Sequence, residues 1–79
     1  MENDIGILGI IVENNSMIEN INACLHEYGS YIIGRLGVPY HEKKMNVIAV
    51  VFDAPKEIIN DVNKKINKLD GIQSKMILF

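Results

Sequence analysis

Two segments of the chain carry apolar residues on both faces of an extended strand. In Ile5–Val12, the side chains of Ile5, Ile7 and Ile11 point one way and those of Leu8, Ile10 and Val12 the other, because strand side chains alternate with period two. In Met45–Phe52, Val47, Ala49 and Val51 oppose Ile48, Val50 and Phe52. Strands of this kind need cover above and below. A chain of 79 residues has too few elements to cover both faces of a sheet itself. The pattern predicts a sheet with helices on one side and a second copy, or a partner, on the other.

Between and after these strands the periodicity changes. Asn14-Asn15 reads as a turn, and Ser16 as a helix N-cap with Glu19 at capping-box spacing. Ile18, Ile21, Leu25 and Tyr28 form one apolar stripe, which predicts a helix over Met17–Tyr28, and Gly29 sits where a left-handed terminator is wanted. Ser30–Leu36 reads as a strand with Ile32 and Leu36 on one face and Tyr31, Ile33 and Arg35 on the other. Gly34 and Gly37 suit an edge position or a bulge. Gly37–Lys44 reads as a polar connection. Asp53-Ala54-Pro55 opens a second helix, with Pro55 at the first helical position and a stripe of Ile58, Ile59, Val62, Ile66 and Leu69. Asp70-Gly71 ends it, and Ile72–Phe79 is a last strand with the mixed faces of an edge.

The order is β-α-β-β-α-β in a single domain spanning 1–79. It falls into two β-α-β halves, Ile5–Leu36 and Met45–Leu78. Right-handed crossovers interleave such halves into one four-stranded antiparallel sheet with both helices on one face, an α+β architecture. The first and third strands become the central pair, and these are the two that are apolar on both faces.

Composition narrows the function. A domain of this size buries only roughly 60% of its unfolded surface, and natural ones often add a staple. One cysteine, Cys24, excludes an internal disulfide and fits a reducing cytoplasm, so self-association is the staple expected: a homo-oligomer, dimer or tetramer, through the open sheet face or the edges. A net charge of −2 argues against direct nucleic-acid binding. Lys64, Lys65 and Lys68 alternate with Asp61 and Asn67, as on a solvated helix face. No run approaches a membrane span, and the start Met1-Glu2-Asn3-Asp4 lacks the basic residues of a signal peptide, so a cytoplasmic protein without a membrane partner is expected.

The chemistry-bearing residues do not assemble into an enzyme. Ser16 is taken by its cap, Ser30 and Ser74 lie outside any nucleophile-elbow pattern, and no paired carboxylates occur. The turn Glu13-Asn14-Asn15-Ser16 lacks the Cys-x-x-Cys of small metal chaperones, and iron–sulfur ligation needs more cysteines than Cys24, so no cofactor is expected. Aromatic-basic readout of RNA is missing. A metal-responsive sensor built on His41 and Glu42, with His26 from another protomer, is an alternative reading, as is an interaction module without a ligand.

The dense polar stretch is Arg35-Leu36-Gly37-Val38-Pro39-Tyr40-His41. An arginine near a strand end, followed by glycine and proline, can hold its guanidinium fork toward a carboxylate or phosphate. Arg35, Gly37, Pro39, Tyr40 and His41 are therefore the candidate ligand-binding residues. The opposing reading is structural, with Gly37 and Pro39 shaping a loop and Arg35 pairing with an acid of a neighbouring subunit.

The run Arg35-Leu36-Gly37-Val38-Pro39, a polar loop and then Met45–Val51 resembles a family of short bacterial proteins described as regulators of the iron-only hydrogenase system. The resemblance extends from about Ile5 to Leu78 and includes the Val12-Glu13 strand end and the late helix–Gly71–strand unit. It implies a ferredoxin-like βαββαβ sandwich of the ACT-like kind, related in shape to the effector domain of nickel-responsive repressors. It also implies association through sheets and the sensing of small effectors at subunit boundaries. Amino-acid-binding ACT domains carry Pro-Gly in the first strand-to-helix turn; Asn14-Asn15-Ser16 stands here and argues against an amino-acid ligand. With no helix-turn-helix or ribbon-helix-helix segment, control of DNA would need a partner.

Overall fold

The computed structural model describes residues 2–79; Met1, part of the acidic start, lies outside the described residues. The chain runs β1 (Asp4–Val12), α1 (Ile18–Glu27), β2 (Ile32–Tyr40), β3 (Met45–Ala54), α2 (Lys56–Asn67) and β4 (Ile72–Leu78). The strands form one antiparallel sheet in the order β2-β3-β1-β4, with β1 and β3 in the centre as the two-sided apolar pattern predicts. Both helices lie on one face, giving the ferredoxin-like α+β fold.

The core lies between that face and the helices. Leu8, Ile10 and Val12 from β1 and Ile48, Val50, Phe52 and Ala54 from β3 meet Ile21 and Leu25 of α1 and Ile59, Val62 and Ile66 of α2, all buried. Gly6 belongs to this layer for a packing reason: a Cβ there would come within 2.8 Å of Ile59 Cδ1. Ser74 is the buried polar exception, and its Oγ donates to Asn63 Oδ1 at 2.6 Å, so burial leaves it satisfied.

Local chemistry overrides the sequence expectation at several boundaries. Asn14, not Ser16, supplies the cap: its Oδ1 accepts from the Ser16 amide at 3.2 Å and from Ser16 Oγ at 2.6 Å. This Asx turn consumes the serine and starts a short 3-10 turn, Asn15–Met17, before α1. Gly29 does not take a left-handed conformation. The helix tightens into a second 3-10 turn, Gly29–Tyr31, in which the Tyr31 amide reaches the Tyr28 carbonyl at 2.9 Å. Pro55 is the N-cap of α2 and not its first helical residue, because its ψ of 141° is extended although its φ of −56° suits either role.

The largest revision concerns β2. Gly37–Tyr40 is strand, paired with Ile48–Met45, and the true connection shrinks to His41–Lys44, where Lys44 takes a left-handed φ of 52°. An edge strand has one side free of ladder bonds, so Pro39 can stay within it. The register also slips: Ile32 pairs with Phe52 but Gly34 with Val51, so Ile33 is the extra residue of a bulge. A one-residue slip reverses every later side chain. Ile32 and Arg35 therefore share the helix face, and Leu36 lies on the opposite one.

Among the described residues nothing covers the opposite face. It carries Ile5, Ile7 and Ile11 of β1, Val47 and Val51 of β3, and Leu36, Val38 and Tyr40 of β2. Ile77 of β4 and the terminal Phe79 complete it, with Leu36 63%, Ile77 59% and Phe79 75% exposed.

Candidate functional site

The extension of β2 divides the expected ligand site. Arg35 pairs in register with Val50 and Tyr40 with Met45, five residues along the strand, roughly 16 Å at 3.3 Å per residue. The stretch Arg35–His41 is thus a rod with two ends and not a loop closing on one ligand.

At one end, Arg35 turns toward α1. Its Nη2 donates to Asn22 Oδ1 at 3.0 Å, and the two side chains border a cleft of about 400 Å³ with Leu25, His26, Gly29 and Ile32. The sole ion pair among the described residues joins Lys65 to Glu27 at 4.0 Å, so Arg35 has no carboxylate partner among them. Asn22 was not among the expected site residues, and His26 entered only as a metal ligand from another protomer. Their signal was present, because positions four apart on a helix share a face. A guanidinium, an imidazole and an amide around one opening supply hydrogen-bond donors without an opposing acid.

At the other end, Pro39, Tyr40 and His41 border a second cleft of about 440 Å³ with Asn15, Lys44, Met45 and Asn46. Asn46 Nδ2 donates to Asn15 Oδ1 at 2.8 Å and ties the strand to the first turn. Tyr40 donates its hydroxyl to Glu42 Oε2 at 3.3 Å, which occupies the carboxylate next to His41 in the chain. Gly37 lies between the clefts, paired with Ile48, and a Cβ there would meet nothing within 4 Å. No group of three His, Cys, Asp or Glu side chains placed to hold a metal ion occurs among the described residues.

Two further groups resolve into structural roles. Lys65 Nζ donates to Tyr28 Oη at 2.6 Å, lies 5.0 Å from the ring centroid and pins α2 to the end of α1; the bond to Tyr28 raises its pKa. Burial pushes the Cys24 thiol up, Glu27 adds to the shift and Lys65 opposes it, so the thiolate that makes cysteine a nucleophile is suppressed.

No helix among the described residues is long and apolar enough to cross a membrane. No curated protein matches the chain. The structure of the uncharacterized protein TM1266 from Thermotoga maritima is similar over 99% of this chain and 99% of that one, with a TM-score of 0.93 and 25% sequence identity. The TM1266-like family, described as "Iron-only hydrogenase system regulator, putative", matches residues 4–76. With nearly its whole length inside that match and the same fold in the Thermotoga protein, the chain belongs to the TM1266-like family.

Proposed function

We propose that this protein is a cytoplasmic, non-enzymatic regulatory module of the iron-only hydrogenase system that works as a homo-oligomer and responds to a small anionic effector. The observation that carries the assembly is the apolar, uncovered sheet face. The three strands β2, β3 and β1, about 4.8 Å apart and about nine residues long, present roughly 430 Å² of flat sheet per copy, or roughly 860 Å² across a face-to-face pair. That lies near the lower limit for a specific interface before the relief of the side chains is counted. Within the strands, the charged positions of this face are Asp53 and Lys75, one of each sign, so a second copy brings no net repulsion.

Sedimentation equilibrium at micromolar concentration tests the assembly. The expected mass is at least twice the 8.9 kDa of the chain. Val47→Asp, at the centre of the face, should yield a folded monomer. A carboxylate buried without a partner costs about 3 kcal/mol or more, which weakens association by roughly a hundredfold or more. A wild-type monomer at these concentrations would sink the assembly reading.

The effector reading rests on Arg35. Its guanidinium lacks an acid and has His26 and Asn22 beside it, a donor set that suits a carboxylate or phosphate. Arg35 and Leu36 are neighbours that face opposite layers of β2. An anion that draws on Arg35 therefore acts on the strand that carries part of the assembly face. In a thermal-shift screen of organic carboxylates and phosphates, a binding anion at a hundred times its Kd should stabilise the fold by about 2.7 kcal/mol. Arg35→Ala should abolish that shift. A shift that survives the substitution, or no shift from any anion, contradicts the anion site and leaves the assembly untouched.

A further inference from the structure

We infer that Gly9 is the socket of the assembly face and that Leu36 of a second copy fills it; this deepens the homo-oligomer reading above and rests on it. Glycine is a poor residue for the interior of a central strand, so its presence there calls for a cause. Backbone conformation does not provide one, because Gly71 is the glycine with positive φ and Gly9 is not. Crowding within the subunit does not provide one either. A Cβ on Gly9 would meet only the Lys75 carbonyl, at 3.9 Å, in contrast to Gly6, which is pressed against Ile59. The remaining cause is something that approaches from outside.

The register shows the shape on offer. Leu36, Ala49, Gly9 and Lys75 form one row across the sheet. The neighbouring rows carry Ile7 with Val51 and Ile11 with Val47. The missing side chain at Gly9 opens a hollow of about 320 Å³ on the β4 side of the row, bordered also by Ile10, Ile11, Val47, Gln73, Ser74 and Lys75. Leu36 projects from the same row, 63% exposed. Knob and hollow lie two strand spacings apart, about 10 Å. A two-fold axis near Ala49, running roughly along β3, brings Leu36 of each copy over Gly9 of the other and leaves β4 of each copy at the rim, and such contacts are reciprocal by symmetry. Packing of this kind keeps the two sheets aligned to within about 30°. The face is thus complementary to itself, which favours a second copy over an unrelated partner.

The test fills the socket and, separately, removes the knob. Gly9→Leu and Leu36→Ala are compared with wild type by sedimentation equilibrium, with far-UV circular dichroism to confirm folding. Gly9→Leu should raise the dissociation constant roughly tenfold to a hundredfold while the spectrum is kept, since overpacking arises only in the pair. Leu36→Ala should raise it roughly tenfold. Gly9→Ala adds one methyl where 3.9 Å is free and keeps the test readable if the leucine variant does not fold; it too should weaken assembly. If wild type assembles and the Gly9 variants assemble equally well, the socket is wrong and the assembly reading stands. If the Gly9 variants dissociate but Leu36→Ala is indistinguishable from wild type, Leu36 is not the occupant and the inference fails. A monomeric wild type overturns both.

Discussion

Phe52→Ala is expected to remove most or all of the stability of the subunit. Phe52 is fully buried, the largest side chain in the core, and it lies on central strand β3 between Gly6 of β1 and Ile32 of β2. Its ring lies in the core cluster between sheet and helices. Gly6 has no side chain, and Ile59 already stands within 2.8 Å of where a Gly6 Cβ would be. Truncations of this kind cost about 3–5 kcal/mol. A chain of this length has roughly 4–12 kcal/mol in total, and small domains fall toward the lower end. Urea titration followed by circular dichroism, at one protein concentration so that association is held constant, should show a midpoint less than half that of wild type or no cooperative transition. A loss below about 2 kcal/mol would mean that the core collapses around the gap and that Phe52 is not its centre.

The same two-sided pattern explains how far the sequence could be read. β1 and β3 are the strands in which alternation puts at least three apolar residues on each face, and the centre of the sheet is where two covers are worth having. The helix stripes were legible for a similar reason: Ile21 and Leu25, or Ile59, Val62 and Ile66, recur at helical spacing whatever surrounds them. β2 was less legible because its neighbours Ile32 and Ile33 are chemically alike. Nothing in the residues says which of the two is the extra one, and that single residue reverses the faces of Arg35 and Leu36. Pro39 and the glycines also mimic a loop, since composition does not distinguish an edge strand from a turn. At the start of α1, Asn14 and Ser16 are both good caps, and only the three-dimensional turn decides between them.

The candidate site failed to appear as one unit for a geometric reason. Residues close in sequence are far apart when the chain is extended, so Arg35 and His41 belong to different clefts. The partner that orients Arg35 comes from α1, 13 residues earlier. What survives from sequence to structure is the uncovered face, because it depends on alternation in the central pair and not on any single loop. The arginine survives with a new neighbourhood. On the proposed reading, β2 links the two: one residue of it borders the anion cleft and the next supplies the knob of the assembly.

Gly71→Val should cost about 3 kcal/mol or more, the largest expected effect outside the core. Gly71 has a φ of 73°, a left-handed conformation that strains a β-branched residue by about 1–3 kcal/mol. A Cβ there would also stand 2.6 Å from the Asn14 Cβ, a contact between a turn and a strand end with no flexible side-chain tip to give way. The surrounding bonds hold the two segments in that approach. The Glu13 amide donates to the Gly71 carbonyl at 3.1 Å, and Asn14 Nδ2 reaches the Asp70 carbonyl at 3.4 Å. This clamp joins the end of β1 to the turn between α2 and β4 and also positions the asparagine that caps the turn into α1. The two causes can be separated. Asparagine tolerates left-handed φ better than valine but still carries a Cβ. If conformation alone mattered, Gly71→Asn would be close to wild type in a urea melt. With the contact included, it should remain destabilised by about 1–2 kcal/mol, within the usual range for overpacking. A Gly71→Asn protein as stable as wild type would show that the clamp between Asn14 and Gly71 is looser than the 2.6 Å approach implies.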